Sequence, residues 1–206
     1  MKLLAQCLLA CIIELMENNL YSLFKKFNTD KLGMGYAEIY ESYFKSLREK
    51  KLNILEIGVS RGASIKVWSE YFINSTIVGI DIDKVDEKIF NINKKNIGIH
   101  QGSQSDKVFL DKIINEYKKF DIIIDDGSHY PKDVIRSFKI LFPALDSNGL
   151  YFIEDMQTSY NHFFYGNPFD LKYSNTHMNF FKHLTDSLNY QEIANPFYKK
   201  NIFDSK

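Results

Sequence analysis

Two short segments constrain the fold of this chain more than any other feature. Asp125-Asp126-Gly127-Ser128-His129 follows the apolar run Asp121-Ile122-Ile123-Ile124, and Ile153-Glu154-Asp155-Met156 follows Leu150-Tyr151-Phe152. Such runs, alternating along the chain with helical patterns, read as strands of a doubly wound, mostly parallel α/β sheet. In open sheets of this kind ligands bind outside the carboxyl ends of the strands, so neighbouring strands ending in Asp-Asp and Glu-Asp aim several carboxylates at one small volume. Left unpaired, those carboxylates repel one another. A divalent cation that prefers hard oxygen ligands, Mg²⁺ before others, relieves the repulsion and creates a reaction centre. Two acidic turns on a solvated rim are the plainer reading.

Upstream lies Asn53-Ile54-Leu55-Glu56-Ile57-Gly58-Val59-Ser60-Arg61-Gly62-Ala63-Ser64, followed by Ile77-Val78-Gly79-Ile80-Asp81. An apolar strand runs into an acid, two glycines four apart and a small residue opening a helix, and a second strand ends in Asp81. Glycines let the backbone approach a ligand, a helix amino end offers unpaired N–H groups, and the second-strand acid can accept both hydroxyls of a ribose. Dinucleotide folds place G-x-G-x-x-G here to bind a pyrophosphate. Glu56, two residues before Gly58, would repel one, and the third glycine is absent, which disfavours a nicotinamide oxidoreductase. A ligand carrying an ammonium group and a ribose but no phosphate fits better, and S-adenosylmethionine is such a ligand.

With these motifs the chain resembles the class I S-adenosylmethionine-dependent methyltransferases. Asp-Asp-Gly-Ser-His followed by Leu-Tyr-Phe-Ile-Glu-Asp-Met-Gln-Thr-Ser-Tyr is similar to the metal-dependent macrolide sugar O-methyltransferases of the mycinamicin type, as are Asn28-Thr29-Asp30-Lys31, Gly35-Tyr36 and Ile39-Tyr40-Glu41-Ser42-Tyr43-Phe44. The resemblance covers roughly residues 28–190. It implies Asp126, Glu154 and Asp155 as Mg²⁺ ligands, His129 as general base, and Asp81 at the ribose, with Glu56 and Gly58 lining the cofactor pocket. It also implies adenine contacts from Ser103 or Gln104, and closure of Asp30, Lys31 and Tyr36 over the cofactor's carboxylate. Gly62 and Ser64 complete the expected cofactor loop. The chain is expected to lack the large amino-terminal domain of those enzymes, so sugar identity and oligomer architecture do not transfer.

Three assignments stay open on the residues themselves. His129 suits a base because an unperturbed imidazole titrates near about 6.5, yet imidazole also binds divalent ions. Adjacent residues of an extended chain point oppositely, so Asp126 faces the metal while Asp125 orients the loop or lies near the methionine part of the cofactor, and that assignment could be exchanged. Ser103 and Gln104 sit in Gln101-Gly102-Ser103-Gln104-Ser105-Asp106, where Ser105 or Asp106 also serves as a helix cap.

Composition excludes several classes. Lysine plus arginine equals aspartate plus glutamate at 26 each, so no overall field favours nucleic acid or an anionic membrane. Cys7 and Cys11 share one helical face, a spacing of core thiols and not of a redox or zinc site. The apolar segment 3–16 imitates a signal peptide, but its stripe continues through 20, 23, 24 and 27 with Glu14 and Glu17 off it, and the stretch before those acids is too short to span a bilayer, so it predicts a long amphipathic helix over 3–26 and no membrane span. That helix is expected to cover the sheet or to pair two subunits of a homo-oligomer. Export would part the enzyme from cytosolic cofactor, which places it in the cytoplasm.

The expected organisation is one methyltransferase domain over 1–206, with a helical segment 1–50, a cofactor- and metal-binding core 51–155, and lid and closing elements 156–206. Strands are expected at 53–58, 76–81, 97–101, 121–125 and 150–154, helices at 36–48, 63–72, 106–118, 131–141 and 176–189, a charged helix or turn near 86–93, and short strands within 191–203. Asn148-Gly149 predicts the turn before the fifth strand. The segment 156–175 is long for a loop and rich in aromatic side chains, which either stack on an acceptor sugar or pack on the sheet. The sequence thus predicts an Mg²⁺-dependent O-methyltransferase acting on a sugar or sugar-containing small molecule. A cofactor-binding or partner-binding protein with an inactive centre is the alternative.

Overall fold

The computed structural model describes residues 19–86 and 96–194. Five strands form one parallel sheet in the order β3-β2-β1-β4-β5: β1 (Asn53–Ile57), β2 (Thr76–Asp81), β3 (Ile97–Gln101), β4 (Phe120–Asp125) and β5 (Leu145–Ile153). The chain runs outward from β1 to β3 and then returns to lay β4 on the other side of β1. The crevice where the order reverses lies above the β1–β4 boundary, which is where a sheet of this class places its ligand.

The period-2 alternation of the strands divides the core into two layers. Ile54, Ile77, Ile122 and Ile124 pack under α1 (Leu20–Phe27), α2 (Tyr36–Phe44) and α3 (Ala63–Tyr71), around Trp68, Phe24, Phe44 and Phe72. Leu55, Ile57, Val78, Ile80 and Ile123 pack on the opposite face with Leu110 and Ile113 of α4 (Lys107–Tyr117) and Leu141 of α5 (Pro131–Leu141). These strands are buried on both faces, which explains why β1, β2 and β4 read as nearly continuous apolar runs. The same alternation sends Glu56 and Asp126 towards the α1–α3 layer and Asp125 towards α5.

Local chemistry fixes the element ends. Asp106 caps α4 by accepting the N–H groups of Val108 (2.9 Å) and Phe109 (3.3 Å), and Pro131 occupies the first turn of α5, where its missing N–H costs nothing. Thr176 caps α6 (His177–Leu188) through the Asn179 N–H. The structure corrects the expected continuous helix over 3–26. Asn19 is extended and its side chain accepts the Ser22 N–H at 2.8 Å, so a helix begins at Leu20. An N-cap side chain satisfies an otherwise orphaned donor only where a helix starts. α1 covers α3, with Phe24 edge-on to Trp68 at 5.6 Å. Residues 3–18 with Cys7 and Cys11, the expected turn near 87–93, and the expected closing strands beyond 194 lie outside the described residues; Tyr190–Glu192 is a short 3-10 turn.

β5 is longer than expected. Phe120 pairs with Leu145 and Ile122 with Leu150, so 146–149 bulge out opposite Asp121, and Asn148-Gly149, expected as a turn before the strand, lies within β5 at this irregularity. Segment 156–175 is a succession of short turns whose inner residues Thr158 and Ser159 are buried while Phe163, Tyr165 and Phe169 face solvent. Of its aromatic residues, Phe164 and Tyr165 pack on Tyr130 and not on the sheet.

Candidate active site and metal centre

At the carboxyl ends of β1 and β2 the backbone shapes a cavity of about 510 Å³. Gly58 adopts φ +89° directly beneath the start of the β4 loop, and a Cβ there would strike the carbonyl of Asp126. Only glycine combines that dihedral with that approach. Beyond it Ser60 takes the left-handed conformation (φ +47°), and Gly62 (φ +71°) opens α3. Asp81 holds this loop: its Oδ2 accepts the N–H groups of Val59 and Ser60, each at 2.8 Å, and its Oδ1 accepts that of Asp83 at 2.9 Å. The carboxylate thus sits on the cavity wall with its orientation set by backbone donors.

At the ends of β4 and β5 the acids converge. His129 and Asp155 both adopt left-handed backbone (φ +58° and +53°), a region uncommon for non-glycine residues but tolerated by Asp and His better than by most. Those turns bring His129 Nε2 to 3.8 Å from Asp126 Oδ1 and 3.6 Å from Asp155 Oδ2. One ligand atom from each of the three residues lies within 4.8 Å of the others. The two carboxylate oxygens in that compass suit a divalent cation in donor chemistry and in spacing, and the imidazole nitrogen beside them can serve either as a third ligand or as a base, not as both. The Tyr36 hydroxyl donates to Asp155 Oδ1 at 3.2 Å and steadies it.

Glu154 stands apart from that trio. Its Oε1 accepts the Tyr40 hydroxyl at 2.5 Å and the Lys31 ammonium at 2.7 Å. Lys31, 2% exposed, also donates to Asp126 Oδ2 and lies 3.9 Å from Glu56 Oε1. Lys31 is therefore the internal counter-ion of three carboxylates. Burial works against its charge, but the fields of Glu56, Glu154 and Asp126 outweigh burial and hold it above the usual lysine range. Burial pushes the Glu154 carboxyl up to about 7 and that of the fully buried Glu56 up to about 8, in both cases against the pull of Lys31. Asp126 is raised for the same reason.

The structure brings Gly58, Ser64, Asp81, Ser103, Gln104, Asp126 and His129 onto one cavity, together with Asp30 and Lys31. Three expected cofactor contacts lie behind its wall. Glu56 accepts the Ser64 hydroxyl at 2.8 Å on the α3 face of the sheet, and Gly62 caps the helix. Asp125 turns to the α5 face, where it accepts Ser137 Oγ (2.7 Å) and Gln104 Nε2 (3.1 Å), and where burial pushes its carboxyl up to about 6. Alternation along β4 thus gives Asp126 to the site and Asp125 to the scaffold. Gln104 ties the two ends of the cavity together, since its Oε1 accepts the Ser128 N–H at 2.7 Å. Lys31 closes over carboxylates of the chain itself, and neither its role nor that of Tyr40 was signalled by local pattern.

No protein-family model matches the chain. It is 35% identical over 184 residues to mycinamicin VI 2''-O-methyltransferase of Micromonospora griseorubida, an alignment covering 85% of this chain and 45% of that protein. It is 33% identical over 177 residues to 8-demethyl-8-(2-methoxy-alpha-L-rhamnosyl)-tetracenomycin-C 3'-O-methyltransferase of Streptomyces olivaceus, covering 82% and 44%. Among solved structures, MycE methyltransferase from the mycinamycin pathway, in complex with Mg and SAH, superposes with a TM-score of 0.81 at 34% identity, over 90% of this chain and 50% of that one. The chain spans about half the length of the curated relatives it matches.

Proposed function

The chain is a homologue of the macrolide sugar O-methyltransferases of the mycinamicin type, and we propose that it is an S-adenosylmethionine- and Mg²⁺-dependent O-methyltransferase acting on a hydroxyl of a sugar or sugar-containing metabolite in cytoplasmic carbohydrate biosynthesis. The observation that carries this reading is the convergence of Asp126, His129 and Asp155 beside the cavity that Asp81 walls. Asp81 offers a preset acceptor to ribose hydroxyls, while Gly58 leaves room for the cofactor to approach the backbone. Asp126 and Asp155 would supply the anionic metal ligands, and Glu154, expected as a third, is held by Lys31 and Tyr40 behind them. A bound divalent cation supplies acidification and orientation of an acceptor hydroxyl. His129, unligated, would take the hydroxyl proton on Nε2 as the oxygen attacks the sulfonium methyl group, the S–CH3 bond breaking and the sulfur leaving with the electron pair as S-adenosylhomocysteine. The relative's MycE structures with Mg and SAH, and in one case mycinamycin VI, support the same cofactors and acceptor class.

One observation favours the rival reading of a non-catalytic cofactor-binding protein: the Lys31 ammonium already neutralises Asp126 and Glu154. Methyl-labelled S-adenosylmethionine incubated with nucleotide sugars and glycosides, with Mg²⁺ and with chelator, separates the two. Label transferred to an acceptor only with Mg²⁺ is expected. Transfer undiminished by excess chelator removes the metal role, and cofactor binding with no transfer to any acceptor favours the rival.

A further inference from the structure

A second cavity, of about 820 Å³, opens between α5 and segment 165–175 and shares Asp133 with the first. Lys132, Arg136 and Lys139 line it from α5, and Tyr130, Tyr165 and Tyr173 line it from the flanking loops. The three cations stand at i, i+4 and i+7, one face of one helix, where like charges repel. Lys139 also lies over the Phe180 ring at 5.2 Å, but among the described residues none of the three pairs with a carboxylate. The nearest acid in the lining, Asp133, is turned to the Ser128 hydroxyl at 3.1 Å. The positive amino end of α5 adds to the same field.

A row of rings joins this cavity to the reaction centre. The Phe164 ring lies 6.1 Å from His129 and 5.8 Å from Tyr130, and Tyr130 lies 5.4 Å from Tyr165. We propose that the second cavity is the distal half of the acceptor site and that it takes an anionic group, phosphate or carboxylate, borne by an acceptor whose flat ring faces lie along Tyr130 and Tyr165. The assignment rests on reading the first cavity as the reaction centre. The acceptor is then a negatively charged sugar derivative, either a nucleotide-linked sugar or an acidic glycoside, and not a neutral glycoside alone. The row of rings spans the gap between a hydroxyl held at His129 and an anion held at Arg136.

Titration of the protein with UDP-glucose, p-nitrophenyl glucuronide and p-nitrophenyl glucoside tests this. One or both anionic probes are expected to bind about tenfold or more tighter than the neutral glucoside, and the advantage is expected to shrink as salt rises. Which anionic probe wins distinguishes phosphate from carboxylate. Arg136→Gln combined with Lys132→Gln, both at exposed positions that leave folding intact, is expected to remove the advantage while S-adenosylhomocysteine affinity stays unchanged. Equal binding of neutral and anionic probes, an advantage that survives the double substitution, or no binding of any probe overturns the proposal. Loss of S-adenosylhomocysteine binding in the unsubstituted protein would instead strike the cofactor reading and leave the probe comparison intact.

Discussion

At the β1–β2 end of the sheet, Asp81 is oriented by the N–H groups of Val59 and Ser60, and the glycine loop is oriented by Asp81 in return. At the β4–β5 end, Asp126 and Glu154 are oriented by one lysine that arrives from 95 and 123 residues away in sequence. The first end is a set of neutral donors around one half-buried acid. The second is a buried charge cluster in which the counter-ion comes from the segment before α2. Backbone donors preset a site without a second charge, whereas a charge cluster keeps its shape only while every member is present. The two ends touch at Gly58, whose missing Cβ admits the Asp126 carbonyl.

Substitutions should separate the two ends. His129→Ala, on the acidic side, is expected to lower kcat by about 10²- to 10⁴-fold, the range of general acid–base catalysis, with S-adenosylmethionine affinity unchanged. Single-turnover methyl transfer reads the rate, and a parallel fall in Mg²⁺ affinity would make the residue a ligand in place of a base. Lys31→Met removes the one ammonium that pairs with both Asp126 and Glu154 and is expected to cost about 3–5 kcal/mol of stability by denaturant unfolding. Saturating Mg²⁺ should return part of that loss by binding the folded state. A variant as stable as the parent would show that charge pairing does not hold this end together.

On the other side, Asp81→Ala is expected to weaken S-adenosylmethionine about tenfold, about 1.4 kcal/mol by calorimetry, and to leave Mg²⁺ affinity alone. Unchanged cofactor affinity would take Asp81 out of the pocket. A further effect is one of pH. Glu154 and Glu56 titrate near 7 and 8 in the fold against 4.5 ordinarily, so the folded state binds more protons than the unfolded one through that range. Metal-free stability should therefore fall as pH rises from 6.5 to 8, because a raised carboxyl contributes while protonated and ceases to contribute as pH passes its folded value. His177, lowered to about 4 by burial, bears only on more acid conditions. Unfolding midpoints measured across this window, with and without Mg²⁺, check the sign, and a flat profile would mean that Lys31 already cancels the burial of both carboxyls.

Sequence alone determined what depends on near neighbours. The apolar runs of β1, β2, β4 and β5 fix the parallel sheet, and the acids at the ends of β2, β4 and β5 mark its carboxyl edge. Glycine spacing fixes the loop over which Asp81 closes, and the alternation of side chains gives Asp126 and Asp125 opposite faces. Those features follow from periods of two and from dihedrals that only certain residues adopt, so a single stretch of chain reveals them. Tertiary structure alone decided which carboxylates share a counter-ion, why Glu154 faces Lys31 and Tyr40 while Asp155 faces His129, and why Gln104 joins Asp125 to the Ser128 N–H. Those pairings join residues that only the packed layers bring within reach. Which partner a buried charge finds there depends on the direction of a long side chain and on the burial of its rivals, and no local pattern of residues encodes either.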